Sequence, residues 1–120
     1  MTKIEINSLF DNWNNALKTN NPEIVTSLYA KNAILLPTMS KQIRHTSEEI
    51  RDYFINFLEK GPVGLINESN IRIFDKIAIN SGIYTFQFRD GSSLKARFTF
   101  VYYLNDGQWS IIEHHSSQLP

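Results

Sequence analysis

The sequence predicts an α+β domain in which a curved antiparallel sheet forms a cone-shaped roll, with three N-terminal helices packed on its concave face. Apolar side chains recur at three- and four-residue spacing up to residue 59, and they alternate with polar residues after residue 64. Asp106-Gly107 separates the last two alternating runs and is a strong signal for a tight hairpin. Helices that precede a run of strands are typical of folds in which the two are segregated.

Capping signals place the helices in the N-terminal half. Asn21 precedes Pro22, a residue tolerated at the first helical position, and Thr46 with Glu49 forms a capping box. A short apolar run closed by Pro37 indicates a brief strand. The predicted elements are helices at 4–18, about 22–30 and 47–59, with the brief strand at 33–37 and a loop at 38–45.

Four strands are expected to follow as an antiparallel meander, beginning with 65–74 and 77–89. A loop of odd length at Asp90-Gly91 would place the aromatic residues of the second strand on the same face as those of the third. A two-residue turn at Asp106-Gly107 fixes the last pairing. One face then pairs Leu104 with Trp109, Tyr102 with Ile111, Phe100 with Glu113 and Phe98 with His115; the other pairs Tyr103 with Ser110, Val101 with Ile112, Thr99 with His114 and Arg97 with Ser116.

Size and composition limit the class of protein. The 120 residues are predicted to form one domain, 1–120, and the absence of cysteine excludes disulfides and thiolate metal sites. Formal charge is zero and no basic stripe occurs, which argues against a nucleic-acid partner. The sequence has no long apolar stretch of the kind that forms a signal peptide or a membrane span. A cytoplasmic protein without a membrane partner is therefore expected.

The cone is expected to hold a small-molecule pocket whose polar end is Glu113 and His115. Because these two residues are two positions apart on one strand, they would face the same side, and the carboxylate would raise the pKa of the imidazole. They are the candidate catalytic pair, although hydrogen-bonded structural residues at a strand end are the favoured interpretation. The predicted ligand-binding residues are Tyr29, Arg44, Tyr53, Tyr84, Phe98, Phe100, Tyr102, Glu113 and His115.

The opposite sheet face is also apolar and has no remaining element to cover it, which predicts a homodimer. Adjacent strand residues point to opposite faces, so His114 and His115 cannot both ligate one metal, and neither a metal nor another cofactor is expected. The predicted dimer-interface residues are Arg97, Val101, Tyr103, Ile112 and His114.

Ordered sequence pieces resemble the nuclear-transport-factor-2-like (SnoaL-like) superfamily along nearly the whole chain, among them Gly82-Ile-Tyr-Thr-Phe86, Asp106-Gly-Gln-Trp109 and His114-His-Ser-Ser-Gln-Leu-Pro120. Within this superfamily, the chain resembles the bacterial proteins grouped with the association domain of calcium/calmodulin-dependent protein kinase II, also called SgcJ/EcaC-type. The resemblance implies a roll that dimerises through its sheet. In the kinase this module is a hub without catalysis, whereas other relatives are isomerases, dehydratases and cyclases.

Departures from this family pattern limit what the resemblance implies. Phe100 stands where the kinase hub has one of its cavity arginines, and the Asp-His pair of catalytic relatives has no clear match. No kinase domain is expected before the module. The sequence favours a non-catalytic homodimeric module with a pocket for a small, partly apolar or anionic molecule. The alternative is a small cofactor-independent enzyme of isomerase or dehydratase type, with His115 as base and Glu113 orienting it.

Overall fold

The computed structural model describes residues 2–120 and has the predicted order of helices followed by strands. The helices and strands are α1 (Lys3–Lys18), α2 (Pro22–Thr26), β1 (Tyr29–Leu36), α3 (Ser47–Leu58), β2 (Val63–Phe74), β3 (Ile77–Gln87), β4 (Ser93–Asn105) and β5 (Gln108–Gln118).

The predicted N-caps begin the helices. Asn21 accepts a hydrogen bond from the Glu23 amide at 3.0 Å, and Thr46 accepts one from the Glu49 amide at 3.1 Å. The Glu49 carboxylate does not close the expected reciprocal box; it accepts instead from the amide of His45, at 2.7 Å. Each cap satisfies an amide that has no partner inside its helix.

All five strands belong to one curved sheet, in the order β1-β5-β4-β3-β2. Strands β2 to β5 form the predicted antiparallel meander, and β1 adds to β5 in parallel. The predicted second helix is too long, because Tyr29 already pairs with Ile111 and the Leu28 carbonyl accepts from the Ile111 amide at 3.0 Å. Pairing with the distant strand therefore overrides the local helical spacing.

The loop between β3 and β4 confirms the expectation of an odd length. Phe86 pairs with Leu94 and Tyr84 with Ala96, which leaves a five-residue connection at 88–92. The aromatic side chains of the two strands consequently share the concave face, where burial of their large apolar surface stabilises this register.

The β4–β5 hairpin contains a β-bulge that the sequence analysis did not predict. Tyr102 pairs with Ile111 as expected, but Val101 then pairs with Glu113, so Ile112 is the extra residue. Because side chains alternate along a strand, one inserted residue moves every later side chain of β5 to the opposite face. Phe100 therefore faces His114, and Phe98 faces Ser116.

The core lies between the helices and the concave face of the sheet. Trp13 of α1 packs edge-on against Phe100 of β4, with ring centroids 5.4 Å apart, and Phe57 of α3 packs edge-on against Phe86 of β3 at 5.3 Å. No helix within residues 2–120 is long and apolar enough to cross a membrane. The cone-shaped architecture thus arises from a curved sheet whose concave side is closed by helices.

Candidate functional site

The interior of the cone is filled by aromatic side chains. The rings of Trp13 and Tyr84 are stacked with centroids 6.3 Å apart, and Tyr84 in turn stacks on Phe98 at 4.6 Å. A cavity of about 10 Å³ remains in this region, close to the minimum needed for one water molecule. It is lined by Trp13, Leu35, Pro37, Thr38, Tyr53, Phe54, Phe57, Tyr84, Phe86, His114 and Ser116.

His114 is the polar centre of this interior and is only 3% exposed. Its Nδ1 lies 2.8 Å from the hydroxyl of Tyr29, and its Nε2 lies 3.2 Å from the hydroxyl of Tyr84. The imidazole stacks on Phe100, with centroids 4.0 Å apart. Trp13 extends the network, because its indole N–H donates to the Tyr29 hydroxyl at 3.1 Å. Both ring nitrogens of His114 are therefore engaged by other side chains.

Burial keeps this network uncharged at neutral pH. It lowers the pKa of His114 to about 3, and the neighbouring His115 adds a smaller repulsion in the same direction. Burial also raises the pKa of the Tyr29 and Tyr84 hydroxyls, although the Trp13 hydrogen bond opposes the rise at Tyr29. A neutral imidazole donates from one nitrogen and accepts at the other, so the two tyrosines can satisfy it completely.

The other aromatic residues predicted to line the cone face its interior. Phe98, Phe100 and Tyr102 are buried, and burial raises the pKa of Tyr102. Tyr53 is buried as well and donates its hydroxyl to the Thr38 carbonyl at 3.0 Å, so this hydroxyl is already used within the chain. Their placement matches the expectation, while ligand binding by any of them remains a prediction.

Ser116 is a buried residue that the sequence analysis did not assign to the interior. Its hydroxyl lies close to that of Tyr84, where it opposes the rise in the tyrosine pKa, but it makes no hydrogen bond of good geometry. The bulge at Ile112 brings Ser116 and His114 inside together. The available signal was Ile111-Ile112, two successive apolar residues that interrupt the alternation of β5.

Glu113 and His115 do not form the polar end of the cone, and that expectation is wrong. Both side chains are exposed, because the bulge turns them to the sheet face opposite the helices. The assignment of His114 to this outer surface is wrong for the same reason. As placed, Glu113 and His115 have no enclosed cavity in which to act on a substrate.

Arg44, one of the predicted ligand-binding residues, is held in place by hydrogen bonds within the chain. Its backbone forms two hydrogen bonds with Leu35, of 2.9 and 3.0 Å, and its guanidinium donates to the Glu49 carbonyl at 3.0 Å. The guanidinium carbon also lies 5.8 Å from the centroid of the Tyr53 ring. These contacts give Arg44 a structural role in fixing the loop.

The sheet surface opposite the helices, here called the outer face, carries Arg97, Val101 and Tyr103 as predicted. Several of its apolar side chains are well exposed, including Leu65 at 62%, Phe74 at 57% and Tyr103 at 37%. Ile112, the bulge residue, is half-buried. The apolar residues that alternate onto this face are Ile34, Leu36, Val63, Leu65, Phe74, Ile77, Ile79, Ile83, Val101 and Tyr103.

Within the described part of the chain, no cluster of three or more histidine, aspartate or glutamate side chains could hold a metal ion.

Solved structures with the same fold come from several bacteria. A protein of unknown function from Pseudomonas putida, described as NTF2-like, has a TM-score of 0.84 at 16% identity, covering 96% of this chain and 84% of its own. A provisionally assigned ketosteroid isomerase from Parabacteroides distasonis has a TM-score of 0.75 at 19% identity, covering 92% and 85%. These likenesses, with the aromatic cone closed by three helices, show that the chain has the NTF2-like, cystatin-like fold.

The family follows from two stronger matches. The profile of the calcium/calmodulin-dependent protein kinase II association domain matches residues 2–120. A provisionally assigned association domain of that kinase from Xanthomonas campestris is 47% identical, with a TM-score of 0.92, and the match covers 97% of this chain and 86% of the other. The chain therefore belongs to the calcium/calmodulin-dependent protein kinase II association domain family. No protein of curated function matches it.

Proposed function

We propose that this chain is a non-catalytic association module that forms a homodimer through its outer face. The observation that carries the proposal is a continuous set of apolar side chains on that face, left partly exposed within residues 2–120. Phe74, Ile77 and Tyr103 lie side by side across three strands, and Ile79 and Val101 form the next row. Contiguous exposed apolar surface of this kind is typical of an interaction site.

The charges on the outer face favour a second copy of the chain as the partner. Arg72 and Arg97 carry positive charge, whereas Glu68 and Glu113 carry negative charge, all on the same face. A two-fold dimer brings one surface against itself, so a face with both signs can pair its own charges across the axis. A stable obligate dimer of this type buries on the order of 2,000 Å² in total.

The filled interior supports an association role over catalysis. Small-molecule sites generally occupy about 300–1,000 Å³, whereas the cavity beside His114 measures about 10 Å³. Both nitrogens of His114 are bonded to tyrosines, so no basic nitrogen is directed at free space. The isomerase or dehydratase alternative would require Glu113 and His115 to enclose a substrate, and both are exposed on the outer face.

Sedimentation velocity at micromolar concentration tests the proposal. The wild type is expected to sediment as a dimer, and Tyr103→Asp should give monomer, because a carboxylate would be buried in the interface without a partner. Ile4→Asp is the matched control: Ile4 is an apolar residue of α1 that is 83% exposed and lies off the sheet. A monomeric wild type, or equal dissociation of both variants, would contradict assembly through the outer face.

A further inference from the structure

An open groove lies outside the cone, between the loop after β1 and the end of β5. It has a volume of about 310 Å³, which is at the lower end of the range for small-molecule sites. Leu36 and Ile43 contribute apolar walls, and Lys41 and His115 contribute the ionisable groups. The complete lining is Leu36, Pro37, Thr38, Met39, Ser40, Lys41, Gln42, Ile43, His115, Ser116, Ser117 and Gln118.

The charge of this groove has one sign. Lys41 and His115 are basic, and no aspartate or glutamate is among the twelve lining residues. A larger surface groove of about 480 Å³ differs in this respect, since Glu59 and Asp90 there accompany Lys60 and Arg89. No carboxylate therefore lies among the residues that an anion beside Lys41 would contact; Glu113, two residues before His115 on the same strand face, lies outside the lining.

The loop that forms one wall is held at both ends. Leu35 and Arg44 exchange two backbone hydrogen bonds of 2.9 and 3.0 Å, which close the loop at its base. Tyr53 donates to the Thr38 carbonyl at 3.0 Å and ties the start of the loop to α3. The opposite wall is strand β5, where His115 pairs with both Leu36 and Thr99. A site built on anchored elements loses little conformational freedom when a ligand binds.

We propose that this groove binds a small carboxylate with an apolar body. The carboxylate would lie between the Lys41 ammonium and the His115 imidazole, with the Ser40 and Ser117 hydroxyls available as further donors. The apolar part would contact Leu36 and Ile43. This inference goes beyond the association role. Leu36 and His115 also lie on the outer face, so the groove borders the proposed dimer interface, whereas Lys41 lies on the loop after β1 and can be replaced without changing that face.

The probes are benzoate and inorganic phosphate, titrated separately into the full chain labelled with nitrogen-15. Benzoate is expected to shift the backbone amides of residues 40–42 and 115–117. Lys41→Gln should weaken its binding about threefold to fivefold, the effect of losing one exposed ion pair. Lys41→Arg should retain binding, and Lys60→Gln is the matched control because Lys60 lies in the charge-balanced groove.

The outcomes separate the possibilities. Amide shifts on addition of benzoate that show weaker binding in Lys41→Gln than in the wild type would support the site. If the sedimentation of that variant is unchanged, this support is independent of dimer formation. No shift at residues 40–42 up to millimolar benzoate would overturn the proposal, as would equal weakening by Lys60→Gln. Phosphate shifts as large as those of benzoate would contradict the assignment of a carboxylate with an apolar body, because the groove would then recognise charge alone.

Discussion

Acid should destabilise this protein through His114. The imidazole is buried between two tyrosine hydroxyls, and its pKa in the folded chain is lowered to about 3, mainly by burial. In the unfolded chain a histidine has a pKa of about 6.5. Between these values the unfolded state binds one more proton than the folded state, so the free energy of unfolding falls as pH decreases. The contribution is fully present above pH ~6.5 and is lost progressively below it.

The magnitude follows from the two pKa values. Each pH unit between them removes about 1.4 kcal/mol from the free energy of unfolding. At pH ~6.5 the histidine of the unfolded chain is only partly protonated, so the full slope is not yet reached. Lowering the pH from about 7 to about 5 should therefore remove roughly 2 kcal/mol from the free energy of unfolding through His114 alone. The pKa of Glu49 is lowered mainly by the hydrogen bond from the His45 amide, and that of Asp90 mainly by the hydrogen bond from the Ser92 hydroxyl, so both carboxylates add to the loss only at more acidic pH.

His114→Gln isolates this effect, because glutamine is polar and uncharged throughout the range. The variant should be less stable at neutral pH by about 2 kcal/mol, because the glutamine side chain does not span both tyrosine hydroxyls and leaves one of them without a hydrogen-bond partner. When the pH is lowered from neutral to mildly acidic, however, the variant should lose about 2 kcal/mol less of its free energy of unfolding than the wild type loses. The assay is urea unfolding at fixed protein concentration, followed by the fluorescence of the buried Trp13.

His115→Gln is the matched control, because it removes the adjacent exposed histidine but leaves His114 buried; since burial is the main cause of the lowered His114 pKa, this variant should retain most of the wild-type pH dependence. If His114→Gln and the wild type lose the same stability on acidification, the imidazole is not held neutral in the folded chain, and the argument fails.

Two further substitutions test the sheet. Gly82→Ala should prevent normal pairing of β2 with β3, because an added Cβ would lie 2.0 Å from the Glu68 carbonyl oxygen. The urea midpoint should fall sharply, or folding should be abolished. A variant of wild-type stability would contradict this close approach. Asn14→Ala should cost about 2–3 kcal/mol, since the Asn14 amide makes hydrogen bonds of 2.8 and 2.9 Å to the backbone of Gly64 on edge strand β2. The exposed Asn15→Ala provides the control in the same unfolding assay, and equal stability of the two variants would contradict a special role for Asn14.

The sequence alone was sufficient for most of the architecture because those signals are local. Asn21 and Thr46 initiate their helices through hydrogen bonds to amides two or three residues away, and Asp106-Gly107 forms the tight turn between β4 and β5. The odd loop before β4 was also predicted, since only one register buries both sets of aromatic side chains. The extent of β1 was not predicted, because its first residues pair with a strand more than eighty residues later.

The candidate site shows where local reasoning is insufficient. The sequence predicted an interior rich in phenylalanine and tyrosine and an apolar outer face, because alternation assigns residues to faces once a register is known. It assigned the wrong histidine to the interior, because a single bulged residue reverses every later assignment on β5. Ile111 precedes the bulge and lies inside as predicted, whereas the bulged residue Ile112 is half-buried.

The sequence by itself thus determined the elements, their order, the turns and the apolar character of both sheet faces, which all depend on contacts between near neighbours or on strict alternation. Only the tertiary structure decided that His114 is the buried histidine, that Tyr29 and Tyr84 occupy both its nitrogens, and that aromatic rings fill the cone. These features depend on side chains from α1, β1, β3 and β5 meeting in one place. Such packing is set by three-dimensional shape rather than by spacing along the chain.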